Sequence, residues 1–443
     1  MPFPFRDIGL SVLETAPQVV YNPALGVRFL FYWTMVAFVS SQYARTLRLQ
    51  GFLYGREYGD PVRLTAVAML EGLVVGLAGS YVMTFFGISL LPDGGGMIWV
   101  LGTALALMLL NVRFMCFAYA GGLVSLCSLL FGFPQVSIPS LMGLVAVLHL
   151  MESLLIFLNG AAGATPVPVE RQGRPIGAFQ LQRYWPVPIC LLILAVISPV
   201  EAVQGGIAMP DWWPLFRTTP EILAHPGAVF FLHALPATLG YGDLAVTGPP
   251  VLKARRTAGR LALYSLVLLG FSVLATRWEP LIWAAALFAP LGHEAVVRIG
   301  NRLESAGTPY FVPPAAGTMV LDALPGTLAR ELGLGPGWVV TAVNGRPVTG
   351  RAQLEESLRA AADEGRLVLD VIPPDFHRRR RSLRPGPRRL EAPFHPGGAL
   401  GVVTVPEPGD QTYVEVAPVS LGARLLRRLL PSEERPGPSG SRR

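Results

Sequence analysis

The feature that most constrains this chain is a recurrence of apolar runs of about 20 residues, the length a helix needs to cross a bilayer. They fall at about 24–42, 64–91, 97–113, 114–132, 136–158, 186–203, 226–247, 259–276 and 279–298. Little more than Arg113 separates the third from the fourth, and the seventh contains Pro226, Pro236 and Asp243. Hydrophobic residues make up 51% of the chain and charged residues 15%, where a soluble protein is roughly a quarter charged. The expectation is an α-helical polytopic membrane domain of about eight or nine spans over residues 1–300. The opening MPFPFRDIGLSVLETAPQ has neither a basic start nor a continuous apolar core, so the apolar segments themselves are expected to direct insertion. Cys116, Cys127 and Cys190 lie in apolar segments, show neither disulfide nor metal spacing, and read as small core residues.

Basic residues set the expected orientation. The net charge of +7 comes from arginine, with Lys253 the single lysine. Arg45, Arg48, Arg56 and Arg63 follow the first run; Arg171, Arg174 and Arg183 follow the fifth; Lys253, Arg255, Arg256 and Arg260 follow the seventh; Arg298 and Arg302 follow the last. The alternate loops LPDGGG and QGGIAMPDWWPLF carry no basic residue. The pattern predicts a multi-pass cell-membrane protein with its basic loops and its C-terminus in the cytoplasm. The N-terminus is then outside, unless residues 8–22 form an interfacial or re-entrant helix.

Thr238 to Asp243 reads TLGYGD and resembles TVGYGD, the potassium-channel filter, in which backbone carbonyls replace the ion's hydration shell. Asp243 leads directly into VLKARRTAGR, which marks that end as cytoplasmic and turns such a filter upside down. The sequence therefore predicts a helix end with a glycine-rich turn at Gly242, with Asp243 near the headgroups.

Proteolytic chemistry finds no footing. A zinc site of the H-E-x-x-H kind needs two imidazoles one turn apart, but His293-Glu294 is followed by Val297 at the second histidine position. No G-x-S-x-G arrangement is present. The expectation is a non-enzymatic chain with no metal and no cofactor. Ionisable residues inside apolar runs are Glu71, His149, Glu152, His233, Asp243 and Glu294; such residues are functional suspects. His149 and Glu152 are three apart and share a helix face, a pairing that suits interhelical packing or proton coupling.

After residue 300 the composition changes. NRLESAGTPYFVPP reads as a linker, 301–316. Residues 317–374 read as strand, short helical turn at Thr327–Leu332, strand at Gly337–Val343, Asn344-Gly345 hairpin turn, amphipathic helix at Arg351–Ala362 and closing strand at Arg366–Ile372. With PGTLARELGL and AVNGRPV at this separation, the stretch resembles a bacterial PDZ domain, except that Trp338 stands where an acidic residue is usual. The resemblance implies a small α+β fold that binds an extended peptide by strand addition. The peptide edge would be Gly317, Thr318, Met319 and Val320, facing Leu354 and Leu358 on the helix; the two leucines equally suit the domain's core. Residues 375–443 read as an arginine-rich, partly disordered tail. HRRRRSLRPGPRR, 377–389, includes Arg378, Arg379, Arg380 and Arg381 and suits either anionic lipid or a solvated linker. Residues 400–416 read as a short hairpin.

Three features in order carry a wider resemblance: Asn22-Pro23 ahead of a run and an arginine-rich loop, Gly242-Asp243-Leu244-Ala245 before a basic loop, and APLGHEAVVRIGNRLE at 289–304. Together with many spans and one PDZ-like domain, they resemble the MinJ-type division-site topology proteins of Gram-positive bacteria. The resemblance implies a membrane scaffold with protein partners, DivIVA and MinD among them, and no nucleic acid. A transporter or protease accessory with a regulatory PDZ domain is the alternative.

Overall fold

The computed structural model describes residues 1–90, 95–196, 207–216, 228–376 and 386–410. Seven of the nine apolar runs are helices. α1 (Phe5–Thr15) and α2 (Gln18–Tyr21) precede α3 (Val27–Tyr54), α4 (Pro61–Phe86), α5 (Gly95–Leu110), α6 (Phe117–Phe131) and α7 (Ile138–Asn159); α8 (Pro250–Ala275) and α9 (Pro280–Ala306) follow later. Among the described residues, four helices are long and apolar enough to cross a membrane: α4, α7, α8 and α9. Helix α7 is the hub, with most of its length buried among α4, α6, α8 and α9. Leu70, Leu105, Leu130, Phe157, Leu263 and Leu291 face outward, as lipid-facing side chains do.

The two remaining runs correct the sequence reading. The described parts of 186–203 and 226–247 are strands. β3 (Arg174–Val196) pairs antiparallel with β4 (Ala228–Ala245), from Phe179↔Ala245 to Val196↔Ala228. The physical reason is in the sequence: Pro186 and Pro188 alternate in WPVPI. Each proline lacks a helix donor and forces its predecessor into extended geometry. β2 (Thr165–Arg171) flanks the first part of β3, joined through Gln172 and Gly173, both at positive φ, as a tight hairpin turn requires. β1 (Ser89–Leu90) flanks β3 at Leu192 and Ile193.

Between β2 and β1 that edge of β3 is taken by α4. A Cβ on Gly72 would lie 2.2 Å from the Pro186 carbonyl oxygen, and one on Gly76 2.2 Å from that of Pro188. One turn on, Ser80 Oγ accepts the Cys190 N–H at 2.8 Å. The stripe Gly72, Gly76, Ser80 thus lets a helix lie directly on a strand edge, the close approach that small residues permit. On that edge, away from β4, Pro186 and Pro188 face no strand that would need their N–H groups.

The filter question is settled by the same hairpin. Residues 238–243 lie within β4 and are registered against Leu181–Pro186, so their backbone is committed to a ladder. The expected helix end at Gly242 is also corrected to strand.

The C-terminal region is a separate six-stranded sheet with two helices. β5 (Thr318–Ala323), α10 (Leu328–Glu331), β6 (Val339–Val343), β7 (Arg346–Pro347), α11 (Arg351–Asp363) and β8 (Arg366–Ile372) lie as expected. The sheet continues past 374: β9 (Arg388–Pro393) pairs with β8, and β10 (Val402–Thr404) pairs with β5, giving the order β10-β5-β6-β8-β9. Phe394 and Leu400 share the core with Val320, Val340, Leu354 and Leu369. The domain therefore reaches into the segment read as tail, and Val402–Thr404 pairs with β5 rather than forming a local hairpin. The stretch read as a linker is α9 up to Ala306, then an anchor. Phe311 is fully buried, its ring 5.2 Å from that of Phe179 on β3, and its carbonyl accepts the Gly177 N–H at 2.9 Å.

Candidate peptide groove

The edge expected to receive a peptide is already covered. Thr318 and Met319 pair with Val340 and Val339 of β6. On the other side Val320 pairs with Thr404, and Val405 N–H donates to the Met319 carbonyl at 3.0 Å. Gly317 is at φ +83°, and a Cβ there would lie 2.6 Å from the Val340 oxygen, so this glycine serves the sheet. Gly317–Val320 is an interior stretch, and the strand beside the helix is β10.

An open groove of about 490 Å³ lies between α11 and the 394–404 segment. Leu354, Leu358 and Ala362 line its helical wall, and Phe394, Leu400 and Val402 the opposite one. Leu354 is buried at 2% exposure and belongs to the domain core, while Leu358 is half-buried. At the end of the groove runs Pro396-Gly397-Gly398-Ala399-Leu400-Gly401. Gly397 and Gly401 are at φ +81° and +78°, and a Cβ on Gly401 would lie 2.3 Å from Thr327 Cβ. Only glycine fits that crossing. The loop lies about eighty residues downstream of the Gly317 edge, and its sequence signal is GGALG at 397–401.

The far end of the segment is tied to the N-terminus of α11. Glu407 Oε1 accepts the Arg351 N–H at 2.7 Å, and the Asp410 carboxylate takes the Arg351 guanidinium. Burial opposes ionisation of Asp410, but the Glu407 N–H and Arg351 outweigh it and hold the carboxyl below the usual carboxylate range. Trp338 does no harm to the ladder: its carbonyl accepts the Val320 N–H at 2.7 Å, and the Arg388 guanidinium lies 5.9 Å from its ring centre. Arg378, Arg379, Arg380 and Arg381 lie outside the described residues.

Most ionisable residues of the apolar runs have partners. Glu71 on α4 accepts from Arg183 Nη2 at 2.7 Å, from Trp185 Nε1 at 2.6 Å and from Asn159 Nδ2 at 2.9 Å, joining α4, β3 and α7. His233 meets Arg28 Nη1 at 2.7 Å. Asp243 pairs with the buried Lys253 at 3.1 Å, which also approaches Glu304 at 3.7 Å. Glu304 in turn accepts the Val246 and Thr247 N–H groups. Glu294 accepts from Arg113, Arg298 and Tyr119. His149 turns its ring nitrogens to Val145 O and Cys116 Sγ rather than to Glu152.

No family model matches the chain, and no solved structure does. A putative serine protease, HhoA of Synechocystis, is 34% identical over 86 residues, 19% of this chain and 21% of that protein. The cell division topological determinant MinJ of Bacillus subtilis is 27% identical over 371 residues, 79% of this chain and 86% of that protein. Over most of its length, therefore, this chain is similar to a cell division topological determinant of the MinJ type.

Proposed function

We propose that this chain is a non-enzymatic, multi-pass membrane scaffold of bacterial division-site placement, with its C-terminal domain in the cytoplasm. The observation that carries the reading is the groove between α11 and β10, closed at one end by the Gly397–Gly401 loop. It has the form of a PDZ peptide site: an extended segment adds beside β10, side chains enter between Leu358 and Val402, and loop N–H groups receive a terminal carboxylate. The similarity to a cell division topological determinant supports the setting. DivIVA and MinD are the partners the family reading nominates. The arginines at 378–381 add affinity for anionic lipid, at about 1 kcal/mol per basic residue near the surface.

The test is a fluorescent fusion at Arg443 in dividing cells of the source bacterium, with and without Leu358→Glu. Signal gathered at septa and poles, with partners co-purifying only when Leu358 is intact, is the expected result. A uniform membrane signal overturns the division-site reading, and partner capture unaffected by Leu358→Glu overturns the groove.

A further inference from the structure

Three residues that the sequence gives no reason to group meet inside the helical region: Cys116 at the start of α6, His149 on α7 and His293 on α9. Cys116 Sγ lies 3.0 Å from His149 Nε2 and 3.7 Å from His293 Nε2. One ligand atom from each residue falls within 4.8 Å of the others, and the two imidazole rings are 5.1 Å apart, centre to centre. A tetrahedral zinc ion with bonds of about 2.3 Å to sulfur and about 2.0–2.1 Å to nitrogen spaces its ligand atoms about 3.3–3.6 Å apart. The two sulfur–nitrogen distances bracket that range, so small side-chain rotations bring all three donors onto one ion.

The surroundings are those of ligands rather than of ordinary core residues. Val145 O can only accept, so at 2.7 Å it fixes the proton of His149 on Nδ1 and leaves the Nε2 lone pair facing the sulfur. A backbone carbonyl holding the far nitrogen of a histidine is the usual support for a metal-bound imidazole. Cys116 is the N-cap of α6, its sulfur accepting the Ala118 N–H at 3.4 Å. The helix terminus favours negative charge, which a metal-bound thiolate carries. His293 Nδ1 is buried with no hydrogen-bond partner among the described residues, so the ring's polar contact is with the cluster. Tyr119 and Tyr264 stack edge-on against the imidazoles, yet their hydroxyls turn away to Glu294 and to Ala289 O. They wall the site without competing for it.

We propose that Cys116, His149 and His293 bind one transition-metal ion of the zinc class. One thiolate and two imidazoles form a borderline-soft, three-ligand set with an open fourth position. The ion joins the α5–α6 corner, the central helix α7 and α9, the helix that continues to the Phe311 anchor. His293 thus has a use that does not require a second histidine at position 297, and Glu294 stands outside the site, held by its arginines.

The test is made on the full chain purified in detergent. Metal content after exhaustive dialysis is expected to be about one ion per chain in the wild type, to be lost in Cys116→Ser and in His149→Ala, and to persist in His233→Ala. Metal retained at full stoichiometry in Cys116→Ser together with His149→Ala overturns the proposal. A second measurement does not depend on a variant folding. Cobalt(II) added to metal-stripped wild type is expected to give a near-ultraviolet thiolate-to-cobalt charge-transfer band with tetrahedral visible bands. Folded wild type that shows no such band overturns the proposal on its own.

Discussion

Gly76 has no room for a side chain. Its Cβ would sit 2.2 Å from a backbone oxygen of β3 and 2.9 Å from Val187, and neither a helix nor a paired strand can move aside cheaply. Gly76→Leu is therefore expected to cost about 1–3 kcal/mol or more, measured as lost unfolding resistance in detergent, while Gly270→Leu, with open space around it, should be near neutral. Leu358 gives the opposite kind of prediction: Leu358→Glu leaves the domain folded, because Leu354 carries the core position, and weakens peptide binding at least about tenfold, ~1.4 kcal/mol. Asp410 adds a pH signature. Its folded carboxyl titrates below its unfolded value, so its contribution is full above pH about 4 and fades as pH falls through the depressed value. Amide exchange at Val402–Thr404 is expected to rise with acid in the wild type. Asp410→Asn should already exchange faster at pH 7 and lose that acid step.

At the scale of elements, length and apolarity were enough to find seven helices and, with Asn344-Gly345 and the α11 pattern, most of the C-terminal sheet. They were not enough for β3 and β4: β3 is buried on both faces over Trp185–Leu192, and such a strand is as continuously apolar as a membrane helix, while β4 is similarly apolar though only partly buried. The arbiter was present as two prolines two residues apart. The groove was half legible. Leu354 and Leu358 follow from helical spacing, but the strand beside them comes from 402–404, and nothing local in VVT says which edge it seeks. The metal-binding trio was not legible at all, since positions 116, 149 and 293 meet only through the packing of α6, α7 and α9. Deleting residues 394–410 is expected to unfold or loosen the whole C-terminal domain, read as protease sensitivity at Leu369. A tail that merely hung free would leave that core protected.

At the scale of the molecule, the helical region and the C-terminal sheet are joined through Phe311, Leu321 and Val405, which belong to the same buried cluster as Phe179 and Leu181. Arg171 reaches the Ser305 carbonyl across the same junction. The domain is thus seated on the β2–β3 hairpin. Phe311→Ala, which empties a fully buried aromatic site, is expected to cost about 3–5 kcal/mol at that seat, detected as independent tumbling of the domain in spin-label spectra while insertion of the helices is unchanged.

The placement of β10 also sets an order in time. The groove's second wall is made from residues 394–404, which include the last described strand, whereas every apolar helix among the described residues is complete by residue 306. Under the proposed function, a nascent chain therefore commits its helices to the bilayer before its peptide groove exists. On the same reading, a ribosome that stalls before about residue 404 leaves a product whose helices are made and whose groove is not. Recruitment, under the proposed function, then follows insertion: a partner is held only after the strand that walls its groove has been made.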